Sequence, residues 1–219
     1  MTKLHAAVLN ACGVGAPLLW ATTVIYAGSR HPEYSHVRQY VSELAARGSS
    51  TQHLMQVSAF ILPGFMTAAF GFLLGRTTDR TAGIGGALLI VSGLARATAG
   101  VFVLDPLDSA VTPSTDQEIH NAAGMLYVLT LILTVVVWMI ASVTRSGRST
   151  WFASYSLLTV VVAIAAPFAL IAAGMATWAD VGLFQRATLG ALNVWVLTLA
   201  CVTFAERRYS NIVPASAPA

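Results

Sequence analysis

An all-α polytopic membrane protein, a bundle of six transmembrane helices with a short interfacial helix in the first loop, is predicted by three observations. Six apolar stretches each approach the roughly 20 residues a helix needs to cross hydrocarbon. Of the 219 residues, 56% are hydrophobic and only 10% charged, with a mean hydropathy of +0.71; a soluble globule of that composition would expose apolar patches larger than soluble monomers carry. The cationic residues, finally, gather at the ends of alternate stretches.

The spans read as residues 5–27, 54–75, 82–103, 120–143, 152–174 and 184–205, one membrane domain over 1–208 followed by a disordered Ala/Pro-rich cytoplasmic tail, 209–219. The first begins Met-Thr-Lys-Leu-His and its apolar run is long for a signal, so it reads as a retained helix and not a removed signal. Pro17, Pro63 and Pro167 fall inside spans one, two and five, where each removes a backbone donor and favours a kink. Small residues spaced by four, as in Gly71 and Gly75, Ala82 and Gly86, and Ala95 and Ala99, allow helices to approach closely. Trp20, Tyr26, Trp151, Tyr155 and Trp178 lie near span ends as interfacial belts. Cys12 and Cys201 lie inside spans, where a thiol behaves as a small apolar group.

In the first loop, Tyr34, Val37, Val41 and Leu44 recur at helical spacing between Pro32 and Gly48, which predicts a short amphipathic helix on the membrane surface. Its other face carries Arg38, Ser42 and Glu43, and such a helix can roof a cavity between spans. Orientation follows from seven cations (Lys3, Arg76, Arg80, Arg145, Arg148, Arg207 and Arg208) against four (Arg30, Arg38, Arg47 and Arg186). The cytoplasmic side carries the excess, so both termini are expected inside the cell membrane. The first loop, Asp180 and the acidic segment Asp105–His120, with four carboxylates and no Lys or Arg, then face outward. No basic patch with interleaved aromatics exists, which excludes a nucleic-acid surface.

Candidate chemistry gathers at that outer face. Arg96 lies about seven residues inside the outer end of span three, roughly 10 Å deep at the helical rise, so it should face the bundle interior and pair with a carboxylate. Glu43 and Asp105 are the favoured partners, with Asp108 and Asp180 behind them. Glu43, Asp105 and His120 form the expected proton-handling set, and Arg96, Ser42, Tyr40, Phe102, Asp108, Asp180 and Trp178 the expected substrate-binding walls. No metal is predicted: His31 and His36 are five apart, and neither His-x-x-x-His nor His-Glu-x-x-His occurs. No cofactor is implied either, because phosphate-binding Gly-rich loops are absent, and the absence of a Gly-x-Ser-x-Gly elbow argues against an ordinary serine hydrolase.

The string Tyr40-Val-Ser-Glu-Leu-Ala-Ala46, the span end Gly100-Val-Phe-Val-Leu-Asp-Pro106 and His120 opening span four together resemble a bacterial membrane family catalogued as domain of unknown function 998. The resemblance covers roughly the whole chain, with Ala45 standing where the family pattern has Gly. It implies six spans and a site near these three segments, and it supplies no reaction. Three functions fit the sequence. One is an intramembrane enzyme doing acid–base chemistry on an isoprenoid or other lipid, as small membrane-embedded terpene cyclases do; the others are a transporter or lipid-binding protein, and a structural subunit. The expected partners are the membrane and a hydrophobic small molecule or lipid, and the sequence leaves the oligomeric state open.

Overall fold

A computed structural model of the chain describes residues 3–76, 80–106, 112–144, 150–174, 177 and 179–212. They form six long helices, α1 (Lys3–Ser29), α2 (Gln52–Gly75), α3 (Arg80–Val101), α4 (Thr115–Thr144), α5 (Thr150–Ala172) and α6 (Val181–Ile212), and no strand occurs among them. Helices α1, α2, α3, α4 and α6 are long and apolar enough to cross a membrane, and α5 is apolar over Thr150–Ala165. Leu4, Ile25, Met125 and Val143 are each at least two-thirds exposed on helix faces, an arrangement that suits contact with lipid tails and not with water. Helix α6 continues past residue 208 to Ile212; residues 213–219 lie outside the described residues, as do Asp108, Trp178, Arg145 and Arg148.

Glycine sets the closest helix pair. A Cβ built on Gly64 would meet the Gly93 carbonyl at 2.6 Å, and one built on Gly71 would meet the Gly86 carbonyl at 2.7 Å. Helices α2 and α3 therefore touch backbone to backbone along two glycine pairs, each glycine seven residues from the next on its own helix. Elsewhere the core is ordinary packing, with Phe70, Leu89, Leu131, Val135, Trp195 and Leu199 among its members. Polar pins cross it: Asn10 Nδ2 donates to the Ala200 carbonyl at 3.1 Å, and Trp195 Nε1 to Ser156 Oγ at 2.9 Å.

Helix α2 is irregular where proline dictates it. Gln56–Ile61 is π-helical, and the Leu62 N–H bonds the Val57 carbonyl five residues back. The Ser58 carbonyl, deprived of that donor, accepts the Thr23 hydroxyl at 3.4 Å. The α-helical donor for the Ala59 carbonyl would be the N–H of residue 63, and residue 63 is proline. Proline thus leaves the Ala59 carbonyl without its α-helical donor.

The first and third loops and the first turn of α6 meet at one end of the bundle. Arg47 N–H bonds the Leu104 carbonyl at 2.9 Å, and Leu183 N–H bonds the Val37 carbonyl at 2.8 Å. The first-loop helix is shorter than the apolar spacing predicts, a 3-10 turn over Val41–Ala45. Val41 and Leu44 are buried against Val24, Ala27, Met55 and Ala59, whereas Val37 and Tyr40 stay exposed. A longer helix is prevented because the backbone ahead of the turn is taken by α6: Gln185 Oε1 accepts the Val41 N–H at 2.6 Å, and Arg186 Nη1 donates to the Gln39 carbonyl at 2.9 Å. Ala45 needs no glycine, since no described non-glycine residue has a positive φ.

Candidate functional site

Two polar regions emerge, one at the loop face and one inside the membrane-spanning bundle. The loop-face region is a groove of about 580 Å³ whose walls include His31, Glu33, Tyr34, Glu43, Arg47 and Ser49, together with Pro106 from beyond α3. Glu43 is positioned by its own turn, since its Oε1 accepts the Tyr40 N–H and its Oε2 accepts Gln39 Nε2, both at 3.0 Å. The Tyr34 hydroxyl donates to the Tyr40 carbonyl at 2.8 Å and accepts from Arg186 Nη2, while the Arg186 guanidinium lies 5.4 Å from the Tyr34 ring centre. Burial holds the Tyr34 phenol above its usual pKa, with Arg186 pulling the other way, so the hydroxyl stays a donor. Arg47 Nη2 pairs with Asp116 Oδ2 at 2.8 Å, with both side chains about half exposed.

Asp105 and His120 both close the α3–α4 connection. Asp105 Oδ2 accepts the Ser114 N–H at 2.8 Å, and its own N–H donates to Gln117 Oε1 at 3.1 Å. The hydrogen bonds from Ser114, helped by Arg47, hold this carboxyl below the usual carboxylate range. His120 is buried, with Nδ1 at 2.7 Å from the Ala99 carbonyl and 3.0 Å from the Phe102 carbonyl. Carbonyls only accept, so Nδ1 carries the proton and caps the end of α3. Its ring meets Phe60 of the π segment edge to face, 5.7 Å between centres. Gly100 is needed at this joint, since a Cβ there would meet Phe60 Cβ at 2.6 Å.

Of the other expected site residues, Tyr40 contributes its backbone N–H and carbonyl, Phe102 its carbonyl, and Ser42 is half-buried in the 3-10 turn. Asp180 precedes α6, where its Oδ2 accepts the Thr177 N–H at 2.7 Å and hydroxyl at 3.1 Å. Glu43 lines the groove and Pro106 brings the segment of Asp105 to its edge; Arg96 and His120 are not among its walls.

Arg96 faces the interior, as its depth requires, yet its partner is not a carboxylate. Nε and Nη2 both donate to the Ala59 carbonyl, at 3.1 and 2.8 Å, Nη1 is 3.4 Å from Asn193 Oδ1, and the guanidinium lies 5.3 Å from the centre of the Tyr127 ring. Asn193 Nδ2 in turn donates to the Tyr127 hydroxyl at 3.2 Å. The expected pairing with Glu43 or Asp105 is therefore corrected. The carbonyl left open by Pro63 takes the guanidinium fork, and a neutral amide and an aromatic face complete the cage. Among the described residues the one ion pair is Arg47 with Asp116.

Six helices with lipid-suited faces, five of them long enough to span, define a polytopic helical membrane protein. The chain belongs to the family described as a protein of unknown function, DUF998, whose sequence profile matches residues 14–202, a range that takes in the whole groove and the whole Arg96 cage. No curated protein and no solved structure matches the chain.

Sequence reasoning did not single out Gln185, Asn193, Ser49 or Thr51, nor the anchoring role of Arg186. One signal was available. All five glutamines of the chain lie at the loop face and hydrogen-bond backbone: Gln39, Gln52, Gln117 and Gln185 accept N–H groups, and Gln56 donates to the Gly100 carbonyl.

Proposed function

We propose that this protein binds the polar head of a lipid-like amphiphile in the loop-face groove, on the outer face of the cell membrane, with both termini cytoplasmic. The carrying observation is the groove itself: about 580 Å³, lined by both signs of charge and by hydroxyls, at the ends of membrane helices. Leu44, buried in the apolar cluster below, forms part of its floor. Such a site offers donors and acceptors to a head group while the tails remain in hydrocarbon. The orientation rests on the excess of Lys and Arg at the opposite end of the bundle.

An acid–base enzyme acting on a hydrophobic substrate is the second reading, favoured by Glu43 and His31 sharing one groove. Isoprenoid cyclisation has less support. It needs a poorly solvated acid in an apolar chamber, whereas Asp105 and His120 are engaged with backbone groups and the groove is polar.

Native mass spectrometry of the detergent-solubilised protein, titrated separately with phosphatidylcholine, phosphatidylethanolamine and phosphatidylglycerol, tests the binding reading. Adducts with at least one of these lipids are expected, reduced tenfold or more in the Glu43→Gln/Arg47→Gln double variant. Equal adduct formation by that variant would remove the groove as the site. Single cysteines at Glu33 and Gly75 test the orientation, since the first should label from outside intact cells and the second only after permeabilisation.

A further inference from the structure

We infer that Ser49 and His31 form a nucleophile–base pair in the groove that cleaves an ester bond of a bound acyl amphiphile. The inference rests on the binding reading and adds a chemistry to it. Three hydroxyls surround His31 Nε2: Thr51 Oγ1 at 3.0 Å, Ser49 Oγ at 3.3 Å and Ser50 Oγ at 3.4 Å. Only one of them also lines the groove. Thr51 is buried, with its hydroxyl donating to the Leu44 carbonyl at 2.8 Å, and Ser50 lies outside the walls. Ser49 and His31 both line it, so a ligand in the groove meets the one hydroxyl that has a base beside it.

Local structure supports the pairing. His31 follows the end of α1, its N–H bonded to the Gly28 carbonyl at 3.2 Å, and Ser49 precedes α2; the turn between the 3-10 segment and α2 brings them together. Gly48 makes that turn with φ +84°, a conformation that favours glycine. The Ser49 hydroxyl has a second acceptor, the Leu44 carbonyl at 3.0 Å, so rotation about its Cβ–Oγ bond moves the proton from carbonyl to imidazole. With the Thr51 hydroxyl donating to Leu44, the 3.0 Å contact is His31 Nε2–H donating to Thr51; nucleophilic attack uses the other tautomer, with the proton moved to Nδ1 and Nε2 free to accept from Ser49. Arg47 also lines the groove, and its guanidinium, shared with Asp116, is the positive charge offered to a developing oxyanion.

The step balances without a further reagent. Ser49 Oγ bonds the ester carbonyl carbon as its proton passes to His31 Nε2. The carbon–oxygen bond to the alcohol then breaks, and His31 returns the proton to the leaving oxygen, giving acyl-Ser49 and free alcohol. Water, deprotonated by His31, attacks the acyl carbon, and the same proton restores the Ser49 hydroxyl as the fatty acid leaves.

A fluorophosphonate probe applied to membranes holding the full chain, followed by peptide mapping, tests the pair. Modification at Ser49 is expected, abolished in Ser49→Ala and slowed at least tenfold in His31→Gln at unchanged melting temperature. An unmodified Ser49, or an equal rate in His31→Gln, would overturn it. If either variant fails to fold, Ser49→Cys and Ser50→Cys replace them. Iodoacetamide should then alkylate position 49 at least fivefold faster than position 50 although Ser50 is the more exposed, and an equal or slower rate at 49 counts against the pair. Wild-type protein that takes up phospholipid but leaves Ser49 unmodified overturns the pair and leaves the binding reading intact. Modified Ser49 without phospholipid uptake upholds the pair and removes the binding reading.

Discussion

The loop-face groove and the Arg96 cage contain similar side chains in different surroundings, and they satisfy them differently. In the groove, Arg47 and Asp116 pair while half exposed, and Glu43 accepts two hydrogen bonds while still facing open space. In the cage, Arg96 is 3% exposed, and Nε, Nη1 and Nη2 go to one carbonyl and one amide. Water can complete the groove's hydrogen bonds, so its ionic groups stay available to a ligand. Arg96 is buried away from solvent, so the bundle must supply fixed acceptors, and it does so by breaking α2 with Pro63. A buried charge in a membrane helix marks a constraint, and the identity of its partner decides whether that constraint concerns chemistry or architecture. Here the partner is backbone.

The largest effect that can break this comparison is loss of the cage. Arg96→Ala should lower stability in detergent by about 3 kcal/mol, because the Ala59 carbonyl and Asn193 lose their donor and a hole replaces the guanidinium. Arg96→Lys should fall between, since an ammonium lacks the planar fork that reaches both partners. Thermal melting checks both, and a variant as stable as the parent would mean that the cage is dispensable. At the groove, Arg47→Gln should cost less than about 1 kcal/mol, as exposed ion pairs do, while still reducing lipid adducts. A destabilisation equal to that of Arg96→Ala would erase the distinction between the two regions.

Asp105 gives the smallest and most conditional effect. Its carboxyl is held below the usual range by Ser114, so its contribution to closing the third loop is fully present above the unfolded carboxylate value of about 3.9 and is lost as pH falls through the lower folded value. Hydrogen exchange at the Ser114 amide should therefore stay protected at neutral pH and gain protection loss only in strong acid. Opening of that amide well above pH 4 would show that another group holds the loop.

The spans were legible because apolar length is enough to define them, and the glycine seam was foreshadowed by Gly71 and Gly86 at small-residue spacing. Arg96 was legible as inward-facing for the same reason, since depth in hydrocarbon allows little else. Its partner was not. A carbonyl acceptor belongs to every residue, so only the missing N–H of Pro63, four positions beyond Ala59, encodes it, and a proline in a membrane helix reads first as a kink. The first-loop helix was overextended because apolar spacing reports which residues turn inward, as Val41 and Leu44 do, without reporting that Gln185 and Arg186 capture the backbone ahead of them. His31 and Ser49 were brought together by a turn, and their separation of eighteen residues matches no helical or catalytic spacing.

A double-mutant cycle between Pro63 and Arg96 tests most directly whether Arg96 serves a carbonyl that proline leaves open. Pro63→Ala restores an N–H at the position that an α-helix uses to satisfy Ala59. The stability cost of Arg96→Leu, measured by reversible unfolding in mixed micelles, should then shrink by about 1–2 kcal/mol in the Pro63→Ala background, because the carbonyl is no longer stranded. Additivity within about 0.5 kcal/mol would contradict the account and return Arg96 to the search for a carboxylate or a ligand.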